Sequence, residues 1–307
     1  TEYVDYYYRR TASFLIFMTT FSFSFVRVIE SDIKNLKYAL IITSVALSLA
    51  ALYKFIALGG NSLGYLAKGE VGSQRYGFVY LIALWIVIFD WKKGYLKNTL
   101  ILILLIGLVL TFSRSSIVSL VLSFLLFFYS STIRNLKKPS LKSFTNFLKY
   151  TLIIILSIII LFLLFPSIFQ FFDNRLLTLL TNRTINLDQN SSEGYRIFML
   201  KMVFDFLSQN PLFGSGFLGV WIMFLDQSGS THNQYLDVLF RTGLIGFLCY
   251  IIILYKLLIK LVREDKGLYW GIVGTLIYGM VHETFKLSYG TFILSTAIAY
   301  YLQKKNN

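Results

Sequence analysis

Residues that could bind a phosphorylated substrate lie at the edges of the apolar segments of this chain. Arg114 stands in the stretch TFSRSS, between two long apolar runs. A charge inserted into hydrocarbon costs about 2.5–3.5 kcal/mol, so such a residue usually faces a polar cavity or a partner. We interpret Arg114 as part of an anion site. The alternative is an arginine that extends to the headgroups and binds lipid phosphates.

A second group of candidate residues is in the carboxyl-terminal half. Arg196 lies in EGYRIFMLK, and STHNQYLDVLFRTGLIG contains His232, Asn233 and Arg241. A guanidinium group stays charged and binds phosphate through paired hydrogen bonds, and histidine can accept or orient a hydroxyl proton near neutral pH. Arg75, in GSQRYGF, is a further candidate for anion binding. On chemistry alone, Arg75 and Arg196 are also compatible with headgroup-facing cations, and His232 with a structural residue.

No metal or nucleotide site is recognisable in the sequence. His282 and Glu283 are adjacent, whereas two metal ligands on one helix face need the i, i+4 spacing. The stretch GSGFLG lacks the lysine of a phosphate-binding loop and follows no predicted strand. The single cysteine, Cys249, lies within an apolar run and excludes a disulfide or a cysteine cluster within the chain. We therefore expect neither a metal nor another cofactor.

The composition indicates that membrane-spanning helices position these residues. Of the 307 residues, 56% are hydrophobic and 14% are charged. The apolar segments are continuous rather than alternating, which is typical of membrane helices and not of a β-barrel. We predict an all-α, polytopic membrane protein in which residues 1–307 form a single integral membrane domain. The net charge of +14 does not indicate nucleic-acid binding, because the basic residues cluster in short loops between apolar segments.

The hydropathy pattern predicts about nine transmembrane helices. They cover residues 11–27, 38–58, 76–91, 98–113, 115–130, 147–165, 233–259, 268–284 and 287–302. Most of the 29 Lys and Arg residues fall in one set of connecting loops, which the positive-inside rule places in the cytoplasm. The opposite face then carries the Arg114 turn and a long extracytoplasmic loop, residues 166–232. The chain begins with Thr1 rather than Met, and we expect further amino-terminal sequence before it.

Part of the long loop has helical periodicity. Residues 193–211 have apolar side chains at helical spacing and end at a proline, which predicts an amphipathic helix at the outer membrane surface. The predicted apolar face consists of Ile197, Leu200, Val203, Phe204 and Leu207.

Four motifs, in order, resemble the O-antigen ligase/polymerase superfamily, which includes Wzy-type polysaccharide polymerases and O-antigen ligases. They are TFSRSS, GYR, NPLFGSG and THNQYLDVLFRTGLIG, and the similarity covers residues 60–260 in outline. The resemblance implies a multi-span helical glycosyltransferase of the type C kind. Such enzymes need no metal and act at the outer face of the bacterial inner (cytoplasmic) membrane on a polyprenyl-diphosphate-linked oligosaccharide.

The resemblance also implies roles for particular residues. Arg114 and Arg196 match the family's two arginines that hold the diphosphate, and His232 matches the family histidine ahead of a span. Family members often carry an asparagine where this chain has Ser73-Gln74-Arg75, so the role of that asparagine does not carry over to this chain. The expected partners are the lipid-linked oligosaccharide, an acceptor glycan, membrane lipid, a chain-length regulator and a flippase.

From this resemblance we predict a polymerase of O-antigen or capsule repeat units. It would transfer the glycan, with inversion, to an acceptor sugar hydroxyl. We favour a polymerase over a ligase because the outer loop is modest in length and no soluble domain follows Asn307. The alternatives are an O-antigen ligase, which transfers glycan to lipid A core or protein, and a membrane transporter. A transporter predicts inverted repeats or broken helices at mid-membrane, which the sequence does not show.

Overall fold

The described part of the chain is entirely helical. The computed structural model describes residue 15 and residues 18–57, 76–111, 113–134, 192–216, 231–285 and 287–303. The helices are α1 (Glu30–Ala57), α2 (Gly77–Asp90), α3 (Tyr95–Leu110), α4 (Arg114–Arg134), α5 (Ser192–Gln209), α6 (Gln234–Glu264), α7 (Lys266–Tyr278) and α8 (Ser288–Gln303). A short 3-10 helix covers Phe23–Phe25, and no strand occurs among these residues. The all-α prediction is therefore confirmed for the residues that the structure describes.

The chain divides into two compact units, which are described separately. The first unit comprises Thr1–Leu36, Thr184–Asp265 and Gly279–Asn307, and the second comprises Lys37–Arg183 and Lys266–Tyr278. The second unit therefore contains α2, α3, α4, α7 and most of α1, and the first contains α5, α6 and α8.

Helix α2 forms the core of the second unit. Every side chain over residues 78–87 is at most 5% exposed, as expected for a helix that is apolar on all sides. Helix α7 approaches α2 closely because glycines face it. A Cβ atom on Gly271 would lie 2.9 Å from the Cα of Ile82, and one on Gly267 would lie 3.1 Å from the Cα of Ile86.

Trp85 of α2 joins three helices of the second unit. Its ring packs against Phe124 of α4 and Trp270 of α7, at centroid distances of 4.4 and 5.6 Å. Its buried indole N–H donates to the hydroxyl of Ser123 at 3.2 Å, so the polar atom of this side chain is satisfied. This aromatic cluster holds α4, and with it Arg114, in the second unit.

Lysine side chains neutralise the carboxyl end of α2. Asp90, the last residue of α2, would be unfavourable beside the negative end of the helix dipole. Lys37 lies 2.6 Å from its carboxylate and offsets this charge. The buried amino group of Lys97 donates to the carbonyl oxygens of Ile88 and, at 3.4 Å, Trp91, which caps the helix end.

Contacts between distant parts of the chain join the ends of the helices in the first unit. Phe23 of the 3-10 helix packs edge-on against Phe292 of α8, with centroids 5.2 Å apart. Asp265, which follows α6, accepts a hydrogen bond of 2.5 Å from the hydroxyl of Tyr301 in α8. These contacts fix α8 beside the end of α6.

The described helices agree with a membrane protein. By length and composition, α1 and α6 could cross a membrane. Helices α2 and α3, and the part of α4 over Ser115–Ser130, are shorter apolar helices. The predicted span 147–165 lies outside the described residues, and so do residues 11–14, 16 and 17 of the predicted span 11–27. The number of about nine spans stays a prediction.

The predicted span 268–284 ends early in the structure. Helix α7 stops at Tyr278, and the carbonyl of Gly279 accepts a hydrogen bond from the backbone N–H of Gln234 at 2.7 Å. Residues 279–285 therefore form a loop, called the 279–285 loop below. Helix α1 also differs from its prediction, since it begins at Glu30 rather than at residue 38.

Candidate functional site

Helix α5 packs against the first half of α6 in the first unit. Met199, Val203 and Leu207 follow i, i+4 spacing on α5 and are at most 8% exposed. They form one apolar cluster with Leu236 and Phe240 of α6. This cluster fixes α5, which carries Arg196, beside α6, which follows His232 directly.

The buried face of α5 differs in part from the predicted face. Val203 and Leu207 are buried as expected, whereas Leu200 and Phe204 are 45% and 54% exposed. Each of these two residues stands about 100° further round the helix than the buried stripe, so it points away from α6. Helical periodicity thus predicted the helix, and the partner helix selected the face.

A turn from the chain after α5 fills a break in α6. Helix α6 is interrupted at Gly243, whose φ is 63° and ψ −167°. Four backbone hydrogen bonds cross between the turn and the break: Ser215 N to Phe240 O (2.8 Å), Gly216 N to Arg241 O (2.9 Å), Leu244 N to Pro211 O (2.9 Å) and Ile245 N to Leu212 O (3.3 Å). They replace helix bonds that the break would leave unsatisfied.

Two glycines make this crossing possible. A Cβ atom on Gly214 would lie 2.4 Å from the carbonyl oxygen of Phe240, and one on Gly243 would lie 2.3 Å from that of Leu212. Both glycines also have positive φ angles. The motifs NPLFGSG and FRTGLIG, which are about 30 residues apart, therefore pack together through their backbones and are joined by hydrogen bonds.

A tight turn presents His232 at the start of α6. Its φ angle is 49°, the only positive value at a non-glycine residue among those described, and its side chain is exposed. Such a conformation costs about 1–2 kcal/mol and needs support from its neighbours. Thr231 provides it: its hydroxyl donates to the carbonyl oxygen of Asn233 at 2.9 Å and accepts from the Asn233 N–H at 3.4 Å.

Asn233 is the cap of α6. Its side-chain oxygen accepts hydrogen bonds from the N–H groups of Tyr235 (2.9 Å) and Leu236 (3.0 Å). Its side-chain nitrogen donates to the carbonyl of Met280 in the 279–285 loop at 2.8 Å. Both ends of the amide therefore bind the protein itself.

Tyr195 connects α5 with the histidine turn. Its ring packs edge-on against the ring of His232, with centroids 6.0 Å apart and planes at 76°. Arg196 follows Tyr195 directly on α5. The structure thus brings the backbone of one predicted arginine next to the predicted histidine.

Arg241 forms an ion pair within α6. Its Nε atom lies 2.9 Å from Oδ2 of Asp237, one helical turn earlier. The Asp237 side chain is 3% exposed and that of Arg241 is 19% exposed, so the pair is largely shielded from water. The guanidinium group is held in a fixed orientation, about two turns of helix from His232.

In the second unit, Arg114 is the first residue of α4 and lies in a turn rich in hydroxyl groups. The backbone N–H of Ser116 donates to the carbonyl of Ser113 at 3.1 Å, which begins the helix. The hydroxyl of Ser113 lies 2.8 Å from that of Ser115 and 3.4 Å from that of Tyr278. A helix amino terminus beside several hydroxyl groups, with an arginine as the first helical residue, is chemically suited to an anion.

Comparison with known families gives a match to the middle of the chain. Residues 99–251 match the family described as O-antigen ligase. The chain contains an O-antigen ligase domain. This match agrees with the superfamily that the four sequence motifs resemble. A comparison with the curated proteins found no match.

The O-antigen ligase domain contains most of the predicted site residues. Arg114, Arg196, His232, Asn233 and Arg241 lie within residues 99–251, and Arg75 precedes them and is outside the described residues. Arg196, His232, Asn233 and Arg241 belong to the first unit, where the contact between Tyr195 and His232 sets α5 beside the histidine turn. Arg114 belongs to the second unit.

The sequence analysis missed two residues that contact the turn. Glu283, which lies well after residue 251, the end of the matched range, is within hydrogen-bond distance of Thr231, and Gln234 accepts from the N–H of Thr284 at 2.9 Å. The sequence showed Glu283 only as a neighbour of His282, a spacing unsuited to a metal. Among the described residues, no group of three or more His, Cys, Asp or Glu side chains could hold a metal ion.

Proposed function

We propose that the O-antigen ligase domain transfers a glycan from a polyprenyl-diphosphate carrier to a sugar hydroxyl. Members of this family are glycosyltransferase-like enzymes. The observation that carries the proposal is the contact between Tyr195 and His232, because it sets the helix with Arg196 beside the histidine. The helix that carries a candidate phosphate-binding residue then lies beside a candidate proton acceptor, as this reaction requires.

The proposed reaction is a single displacement at the anomeric carbon. The acceptor oxygen forms a bond to this carbon while the bond from the carbon to the diphosphate oxygen breaks, which inverts the configuration. Arg196, with Arg114 assigned by the family resemblance, binds the negative charge that grows on the leaving diphosphate. His232 accepts the proton that the hydroxyl loses. The charge on the diphosphate is offset by guanidinium groups, so the proposal needs no metal.

We place this reaction at the outer face of the bacterial inner membrane. The basic loops between the apolar segments support this orientation, since they favour the cytoplasmic side, and the His232 turn lies at the opposite end of α6 from Lys256, Lys260 and Arg263. Arg75, Asn233 and Arg241 remain proposed substrate contacts. Of these, Asn233 also caps α6 and Arg241 is held by Asp237.

For the acceptor, we propose another lipid-linked repeat unit, so that the enzyme is a polymerase. The modest length of the segment 166–232 supports this choice. The second candidate is a ligase, which the description of the matched family favours. Polymerase and ligase share the donor and the chemistry and differ only in the acceptor. The family match gives no support to the transporter alternative.

Transfer by the purified protein tests the chemistry. With a lipid-linked oligosaccharide as donor and acceptor, Arg114→Ala, Arg196→Ala and His232→Ala should each lower kcat by about 10²–10³. Arg27→Ala, on an exposed residue before α1, is the matched control for loss of one positive charge and should keep the parent rate. Parent rates for the arginine or histidine variants would refute the assignment.

The surface polysaccharide of a deletion strain distinguishes the two acceptors. Loss of everything beyond one repeat unit indicates a polymerase. Accumulation of long chains on the lipid carrier, with none on lipid A core or protein, indicates a ligase. An unchanged pattern would contradict both functions.

A further inference from the structure

We propose that Glu283 is a positioning residue that holds His232 in place through Thr231, an inference that rests on the proposed function. Oε1 of Glu283 lies 3.4 Å from the hydroxyl oxygen of Thr231, the residue just before the histidine. The Thr231 side chain is 2% exposed, so this contact lies behind the exposed histidine rather than at the surface.

The 279–285 loop keeps the Glu283 carboxylate beside the turn. The backbone of its next residue, Thr284, donates to the side chain of Gln234, and Thr284 itself is fully buried. At the other end of the loop, the carbonyls of Gly279 and Met280 accept hydrogen bonds from Gln234 and Asn233. The loop is thus fastened to the start of α6 on both sides of Glu283.

The hydroxyl of Thr231 links Glu283 to the strained turn. The single proton of this hydroxyl is shared between the carbonyl oxygen of Asn233 at 2.9 Å and the Glu283 carboxylate at 3.4 Å, and the hydroxyl oxygen accepts from the N–H of Asn233. A carboxylate is a stronger acceptor than a neutral oxygen, so it restricts the position of the threonine side chain. Because Thr231 and Asn233 flank His232 and are bonded to each other, that restriction stabilises the positive φ angle of the histidine.

The consequence for the reaction is a loss of rate rather than of substrate binding. A displacement of a catalytic group by about 1 Å can lower the rate by about 10²-fold, even when the change is made elsewhere. The contact of Glu283 is with Thr231, the residue directly before His232. Removal of its charge should therefore lower kcat and leave the KM values nearly unchanged.

The test is a double-mutant cycle on the purified full chain, with the lipid-linked oligosaccharide as substrate. Glu283→Gln and Thr231→Val should each lower kcat by about 10-fold to 100-fold. The double variant should be no slower than the slower single variant, because both changes break the same contact. Thr231→Ser, which keeps the hydroxyl, should retain most of the parent kcat. Glu30→Gln, on an exposed residue at the start of α1, is the matched control for loss of one carboxylate.

Three results would overturn the inference: a parent kcat in Glu283→Gln, multiplicative losses in the double variant, or a raised KM at unchanged kcat. His232→Ala separates this failure from failure of the proposed function. If His232→Ala abolishes transfer and Glu283→Gln does not reduce it, only the role of Glu283 is wrong. If His232→Ala keeps the parent rate, the proposed function and this inference fail together. If Glu283→Gln also lowers the thermal unfolding midpoint, the kcat values of Thr231→Ser and Thr231→Val decide between the two explanations. A parent-like kcat for Thr231→Ser and a lowered kcat for Thr231→Val support the positioning role, and equal kcat values contradict it.

Discussion

At the residue scale, the side chains at the start of α6 serve the fold and the candidate site together. The amide of Asn233 caps the helix and fastens the 279–285 loop, so its identity is explained without a substrate. His232 is different, because its side chain is exposed, its φ angle is positive and its ring packs edge-on against the ring of Tyr195. Backbone strain at an exposed polar residue is a feature of functional sites.

Arg241 allows structural and functional roles to be separated by experiment. Arg241→Gln leaves the buried Asp237 carboxylate without its ion-pair partner and should destabilise the protein by about 3 kcal/mol. The double variant Asp237→Asn with Arg241→Gln removes both charges and should recover most of that loss. The measurement is thermal unfolding of the purified protein in detergent. Equal unfolding midpoints for Arg241→Gln and the parent would contradict a stabilising role for the pair.

The same double variant tests Arg241 as a substrate contact. If Arg241 binds the donor, glycan transfer stays low although stability is restored. If Arg241 serves only to neutralise Asp237, transfer returns together with stability.

At the element scale, the pairing of α5 with α6 depends on two different kinds of contact. Apolar side chains of both helices form a common cluster, which provides most of the stabilisation through burial. The glycine turn then joins the end of α5 to the break in α6 through backbone hydrogen bonds. The second contact fixes the position of α5 along the axis of α6, which contact between apolar surfaces alone leaves loosely defined.

Alanine substitutions of glycines test this joint. Gly216 has a φ angle of 75° but no described atom within 4 Å of its Cβ position, so Gly216→Ala should cost only about 1–2 kcal/mol of backbone strain. Gly243→Ala adds a contact of 2.3 Å with a backbone oxygen and should cost about 3 kcal/mol or more. Thermal unfolding of the two variants gives the comparison. Similar midpoints would show that the turn does not occupy the break.

At the scale of the whole molecule, the distribution of basic residues among the loops predicts an orientation. Lys93 and Lys97 lie near the start of α3, in one of the loops predicted to be cytoplasmic, and α5 lies in the segment 166–232 predicted to be outside. Lys and Arg are enriched in the cytoplasmic loops of membrane proteins, so the charge of each loop indicates the side of the membrane on which it lies.

Thiol labelling in intact cells measures the orientation. Cys249 is the single cysteine, so Cys249→Ala gives a background without thiols. In that background, Gln209→Cys at the exposed end of α5 should react with a membrane-impermeant reagent added outside. Tyr95→Cys, at a position 94% exposed, should react only after permeabilisation. The opposite pattern would place the His232 turn in the cytoplasm and contradict the proposed site of the reaction.

The sequence by itself determined the helical class, the apolar segments and the chemical types in the candidate site. Continuous apolar runs require helices because backbone polar groups in lipid must be paired within the chain. The helices α2, α3, α4 and α8 begin and end within a few residues of their predicted spans for the same reason. The arginines and His232 stood out because their charges and hydrogen-bonding groups are costly where they lie.

Only the tertiary structure decided which of these residues are neighbours. Local periodicity predicted α5 but assigned Leu200 and Phe204 to its buried face, because the face is selected by contact with α6. It extended α7 to residue 284, although the backbone there turns to bind the start of α6. Glu283 and Thr231 are about 50 residues apart in the chain, and no local pattern reports a contact over that separation. Such contacts arise only when the helices pack.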